Sequence, residues 1–188
     1  MLIALVISYS ASLIWFTLPY FQRESKYFYF FCVLAISALL SSIAFTFHIV
    51  TPVKFVVPTA FLMIPSLYRD FFKKYIFLML ITAIALFIIF YDFSSYLNQL
   101  ISLFAFIIVL ILMLSDFVKE TLISESIKIV LLVVVIYQLS IVLKYIVLLN
   151  DLFSGYLLFL LSSAFEILIG LFFIFAKEQN IKLIIKIR

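Results

Sequence analysis

Seven apolar stretches run along the chain, at Leu2 to Phe21, Tyr27 to Val50, Val53 to Tyr68, Tyr75 to Tyr91, Leu100 to Ser115, Ile129 to Leu149 and Tyr156 to Ala176. Short polar breaks separate most of them, reading QRESK, RDFFKK, DFSSYLNQ, DFVKETLISESIK and NDLFSG. A bilayer core about 30 Å thick needs roughly 20 apolar residues of helix, and the stretches approach that length. A membrane barrel instead alternates apolar and polar positions in strands of about ten residues, whereas these stretches are apolar on every face. The pattern predicts an all-α integral membrane protein. About seven transmembrane helices form one bundle over residues 1–176, followed by a short basic tail over 177–188.

Composition strengthens the reading: 68% of the 188 residues are hydrophobic and 12% charged, too few polar groups to cover a water-facing surface. The net charge of +4 is scattered between apolar blocks, so nucleic acid is not expected as a partner. The basic residues instead report orientation. With the amino terminus outside, eleven Lys and Arg fall on the inner side, only Lys54 falls on the outer side, and Lys144 lies within a span. That bias predicts amino terminus out and carboxyl terminus in. No Lys or Arg precedes the first stretch, and TLPYFQRES offers no small-residue cleavage site, so that stretch is expected to stay as a helix. The expected location is a bacterial inner membrane, with an organellar membrane as the other option.

Catalytic chemistry is scarce. The chain has one His, His48, one Cys, Cys32, and two glycines, Gly155 and Gly170. These support neither a metal cluster, nor an internal disulfide, nor a phosphate-cradling loop, so no metal or cofactor is expected and no catalytic residue is assigned. Pairing of His48 with a distant Ser remains the one enzymatic arrangement to set against this.

Three features stand out. Glu166 falls about 15 Å down the last span, close to mid-depth, where an unpaired charge is costly. Ser162, Ser163, Glu166 and Gly170 share one stripe at helical spacing, and on the preceding span Tyr137, Ser140 and Lys144 share another. Lys144 sits about 7 Å above Glu166, within reach of a long ammonium side chain. Gln138, nearly level with Glu166 but pointing roughly 120° from Lys144, is the other candidate partner. The second feature is Pro58 and Pro65 inside the third span, each removing a helical hydrogen bond, which predicts a kinked helix. The third is the tail KEQNIKLIIKIR, with Lys177, Lys182, Lys186 and Arg188 as candidate lipid- or partner-binding groups. The favoured expectation is that it prolongs the last helix along the inner interface. The other is a strand added to the edge of a partner's sheet.

The small residues Ala35, Ser37, Ala38, Ser41, Ser42 and Ala44 predict that the second span is the central, most buried helix. Trp15, Tyr20, Tyr27, Tyr68, Tyr75, Tyr91 and Tyr156 are expected as interfacial anchors.

The layout resembles the membrane modules of bacterial seven-span receptors, which lead into a cytoplasmic output domain; after Ala176 none is expected here. The leading expectation is a non-enzymatic multi-pass membrane subunit that anchors, assembles with or regulates a larger complex, its partners being membrane lipids and protein subunits. The alternative is a small proton- or ion-coupled transporter or channel using Glu166 and Lys144.

Overall fold

The computed structural model of the chain describes residues 2–47, 53–150, 152, 155–177 and 183–186. His48, Pro52, Lys182 and Arg188 lie outside the described residues, as does the side chain of Tyr156. The described residues form eight helices: α1 (Leu2–Phe21), α2 (Phe28–Phe47), α3 (Val53–Ser66), α4 (Arg69–Lys74), α5 (Ile76–Phe90), α6 (Ser95–Ser124), α7 (Ile129–Leu149) and α8 (Gly155–Phe175). Two short strands, β1 (Ser126–Lys128) and β2 (Ile184–Lys186), complete the element order. The protein is all-α, and each of the seven apolar stretches is helical over most of its described residues.

Two of these helices, α6 and α7, are long and apolar enough to cross a membrane. Shorter apolar helical segments cover Phe28–Ala44, Val53–Ser66, Ile76–Phe90 and Leu160–Phe175. α6 runs well past its apolar stretch at both ends. At its start Ser94 accepts a hydrogen bond from the Leu97 amide, satisfying one of the free donors of the first turn. At its end the segment from Asp116 continues as helix until Glu125, whose left-handed backbone (φ 47°) stops it. The expected break RDFFKK is largely helical as well. In α4, Asp70 occupies the first turn and Lys73 and Lys74 the last, each sign facing the helix pole that favours it.

Six helices form a closed ring in the spatial order α1, α2, α3, α6, α7, α8, with α8 returning to α1. α5 lies outside the ring against α3 and has no buried residue. Among the neighbouring pairs of the ring, α7 and α8 touch least. The expectation that α2 is central is therefore corrected: its outer face exposes Ile36, Leu39 and Ile43, and no helix occupies the ring axis.

Half of the ring is packed solid. Leu18, Phe30, Phe31, Met113 and Phe173 are fully buried there, with Phe31 and Phe173 edge to face at 5.0 Å. Buried Gln22 closes this core by donating to the carbonyls of Phe173 and Ala176, which the end of α8 leaves without helical partners. Outside, large apolar side chains are bare: Phe77 is 77% exposed, Leu168 67% and Phe175 81%. Trp15 and Tyr27, expected at interfaces, are instead 3% and 2% exposed.

α1 and α8 approach closely at Gly170. A Cβ there would overlap Cγ2 of Ile14, a methyl on a stiff β-branched side chain. Gly170→Ala is expected to force the two helices apart and cost about 1–3 kcal/mol. The midpoint of denaturant unfolding followed by circular dichroism measures this, and an unchanged midpoint would show that Ile14 gives way freely.

The tail differs from its favoured expectation. α8 ends at Phe175, and β2 pairs antiparallel with β1 of the same chain, placing Ser126 opposite Lys186, Ile127 opposite Ile185 and Lys128 opposite Ile184. The tail does make a strand, as the other expectation had it, but the edge it meets is intramolecular. Beside this strand pair Glu120 accepts from Lys26 at 2.8 Å and from Lys128 at 2.6 Å, and Asp116 lies 3.7 Å from Lys26.

Glu120 lies beyond the apolar stretch of α6. Burial alone would raise its carboxyl, but the hydrogen bonds from Lys128 and Lys26 outweigh burial and hold it below its ordinary value. A carboxyl depressed in the folded state adds stability above its unfolded value, about 4.3, and that contribution is lost as pH falls through the folded value. Amide-exchange protection of residues 126–128, corrected for intrinsic rates, is expected to fall on acidification below about pH 4 while the ring core holds. In Glu120→Gln that local pH dependence should flatten. Equal acid loosening in the variant would assign it to other groups.

Candidate functional site: a hydroxyl-lined cavity in the helix ring

The other half of the ring is hollow. A cavity of about 300 Å³ lies on its axis, and each of the six ring helices contributes to the wall. Helical spacing explains how the wall is made. Tyr9, Ser12 and Trp15 come three apart on α1, and Ser37, Ser41 and Ser42 lie on one face of α2. α3 supplies Val56, Thr59 and Met63, and α6 supplies Phe106. From α7 come Tyr137, Ile141, Lys144 and Tyr145, and from α8 come Ser163 and Glu166.

Polar bonds cross the seams of the ring around this space. Ser42 donates to Ser12 at 3.0 Å between α2 and α1, and the hydroxyls of Ser37 and Thr59 are hydrogen-bonded at 3.1 Å between α2 and α3. Trp15 Nε1 donates to the backbone carbonyl of Glu166 at 3.2 Å, fixing α1 to α8. Its ring stacks on Tyr137 with centroids 4.4 Å apart, forming the boundary between the cavity and the packed core. Across the thinnest seam, between α7 and α8, Lys144 Nζ lies 3.2 Å from Glu166 Oε1. The two side chains keep 31% and 28% of their surface accessible, so the pair is not sealed from the cavity.

The expected pairing of Lys144 with Glu166 is present, and Tyr137 and Ser163 join it on the wall. Ser162 is half-buried off the wall, and Ser140 donates to its own Tyr137 carbonyl at 2.7 Å. Gln138 does not meet Glu166. It is fully buried and donates to the Phe106 carbonyl at 3.0 Å, because its azimuth turns it toward α6. Helix α3 runs unbroken through buried Pro58 and ends one residue after Pro65, while Thr59 beside Pro58 bonds back to the Phe55 carbonyl. Lys177 and Lys186 are exposed at the basic end, where Lys177 borders a smaller crevice of about 240 Å³ with Gln22 and Arg23.

Trp15 and the α2 serines Ser37, Ser41 and Ser42 are wall groups that sequence reasoning read as an anchor and as packing, and Tyr9, Ser12, Thr59 and Tyr145 are wall groups that it did not single out. The signal available was the recurrence of Ser37, Ser41 and Ser42 on one face, which fits both roles. Among the described residues, no three His, Cys, Asp or Glu converge to hold a metal ion.

The fold and cavity define an all-α protein with two helices able to span a membrane and a cavity, lined by apolar groups, hydroxyls and one ion pair, to which six helices contribute. Compared with known protein families, with curated proteins and with solved structures, the chain matches none.

Proposed function

We propose that this chain is a non-enzymatic multi-pass membrane subunit of receptor-like layout that regulates or anchors a larger complex. The observation that carries the reading is the two-ended ring. An ion-paired, hydroxyl-lined cavity occupies one half, and a packed apolar core separates it from a charged platform built by Lys26, Glu120, Lys128 and the β1–β2 strand pair. Bare apolar side chains around the outside and polar groups inside invert the arrangement of a water-soluble bundle, which supports seven membrane-crossing stretches. The excess of Lys and Arg at the platform end supports that end as the inner one, with the cavity in the outer half. In this reading the membrane is a bacterial inner membrane, and the partner binds at the platform or within the bilayer.

Gentle purification from the native membrane, with identification of what accompanies the chain, tests this in wild type and in Glu166→Gln. A partner held by wild type is expected. Partner loss in a folded Glu166→Gln chain would make the α7–α8 seam part of the assembly surface. A chain that emerges alone, stable and monodisperse would overturn the subunit reading. The second reading, a small proton- or ion-coupled transporter, is favoured by the accessibility of Lys144 and Glu166 from the cavity. Flux into proteoliposomes under a proton or sodium gradient would establish it instead.

A further inference from the structure

The cavity wall specifies the chemistry of a guest. Ser163 and Tyr137 are 4% and 5% exposed and both line the cavity. Among the described residues their hydroxyls make no hydrogen bond, and neither do those of Ser41 and Tyr145. The buried side-chain atoms sealed off without a partner are the amide oxygens of Asn98 and Gln138, so these four hydroxyls face space that a guest can enter. Buried polar groups are ordinarily satisfied, and two buried hydroxyls without a partner, Ser163 and Tyr137, with the half-buried Ser41 and Tyr145 on the same cavity wall, mark a site that expects hydrogen-bonding atoms from outside the chain.

Charge narrows the class. Lys144 and Glu166 are the ionic groups of the wall and neutralise each other. A cation or an anion would bring uncompensated charge into a low-dielectric space, whereas an uncharged guest leaves the pair intact. The volume of about 300 Å³ suits a single small ring or headgroup, and Trp15, Tyr137, Tyr145 and Phe106 give it an aromatic floor. We propose that the cavity binds an uncharged polyhydroxyl group. Its source is a free polyol or monosaccharide, or a glycolipid headgroup admitted at the thin α7–α8 seam. The proposal rests on the receptor-like membrane reading and adds the ligand class to it.

Trp15 is the only tryptophan of the chain and sits in the wall, so its emission reports the site directly. Detergent-purified protein is titrated with glucose, myo-inositol and glycerol, and in a second arm placed in nanodiscs with a rising fraction of monoglucosyldiacylglycerol. A saturable change in the first arm identifies a free ligand, and one confined to the second identifies the headgroup. Ser163→Ala and Tyr137→Phe, each removing one unpaired hydroxyl, are expected to raise the midpoint about five- to tenfold. Ser140→Ala, whose hydroxyl is engaged on its own helix, should leave it unchanged.

Absence of a saturable change in both arms overturns the proposal, as does an equal response to glycine or to sodium chloride. Unchanged midpoints in Ser163→Ala and Tyr137→Phe, with wild-type circular dichroism, overturn it too. A chain that keeps its partner but gives no response removes the ligand proposal alone. A chain that responds yet purifies without a partner removes the subunit reading alone.

Discussion

Trp15→Ala is expected to lower stability by about 3–5 kcal/mol, the largest effect of any single substitution in the ring. Trp15 is 3% exposed, stacks on Tyr137, and spends its indole N–H on the carbonyl of Glu166. Truncation removes the bulk of an indole from a site bounded by α1, α7 and α8, and it leaves a carbonyl short of one donor. The ring closes through α1 and α8, so the neighbouring helices cannot collapse into the gap without opening the seam at Gly170. Trp15→Phe keeps most of the stack and loses the hydrogen bond, and about 1–2 kcal/mol is expected. Denaturant unfolding in detergent, followed by circular dichroism, separates the two variants. Equal losses would assign the whole effect to the N–H bond.

The second large effect concerns the thin seam. Lys144→Met removes the ammonium and leaves the Glu166 carboxylate facing the cavity without its partner. Breaking a fully buried pair costs about 3–5 kcal/mol, and the partial exposure of these side chains reduces the expectation to about 1–3 kcal/mol. The double variant Lys144→Met with Glu166→Leu places apolar groups of similar size on both sides, and it is expected to recover most of the loss. Unfolding midpoints of the four proteins form a cycle. A double variant as unstable as the sum of the two single ones would show that the ion pair does not couple the helices.

How much of this was legible in the sequence depends on the residue. The Lys144–Glu166 pair was, because rise per residue sets depth and the spacing of Tyr137, Lys144, Ser163 and Glu166 sets azimuth. Gln138 has the right depth and the wrong azimuth, and burial against Phe106 follows from the same spacing. Trp15 was misplaced because an indole, apolar with one polar edge, suits an interface as well as a helix junction that offers a carbonyl. Which it meets depends on where α8 lies, and nothing local to α1 records that. Ser37, Ser41 and Ser42 are ambiguous for a related reason: a small hydroxyl residue permits close approach of helices and also lines a void, at the same spacing. The charged end of α6 read as a loop because polarity was taken for a break. Its residues form helix, and Lys26 and Lys128 pin it from outside the segment. In the tail, Ile184 interrupts the alternation of apolar and basic residues, so a helix along the interface was the favoured reading, and the strand's pairing partner lies about sixty residues upstream and is set by the tertiary fold.

The closure of the ring by α1 and α8 bears on how the molecule comes into being. Chains emerge amino terminus first, so five walls of the chamber exist before the sixth is synthesised. Until then Lys144 lacks the Glu166 carboxylate that pairs with it, and the face of α1 that will receive Gly170 stands open. The last helix to arrive thus brings the carboxylate and closes the ring, while the residues that follow it pair with β1. Assembly has a final step at which wall, charge balance and strand pair are completed together, and a lesion in α8 strikes all three at once.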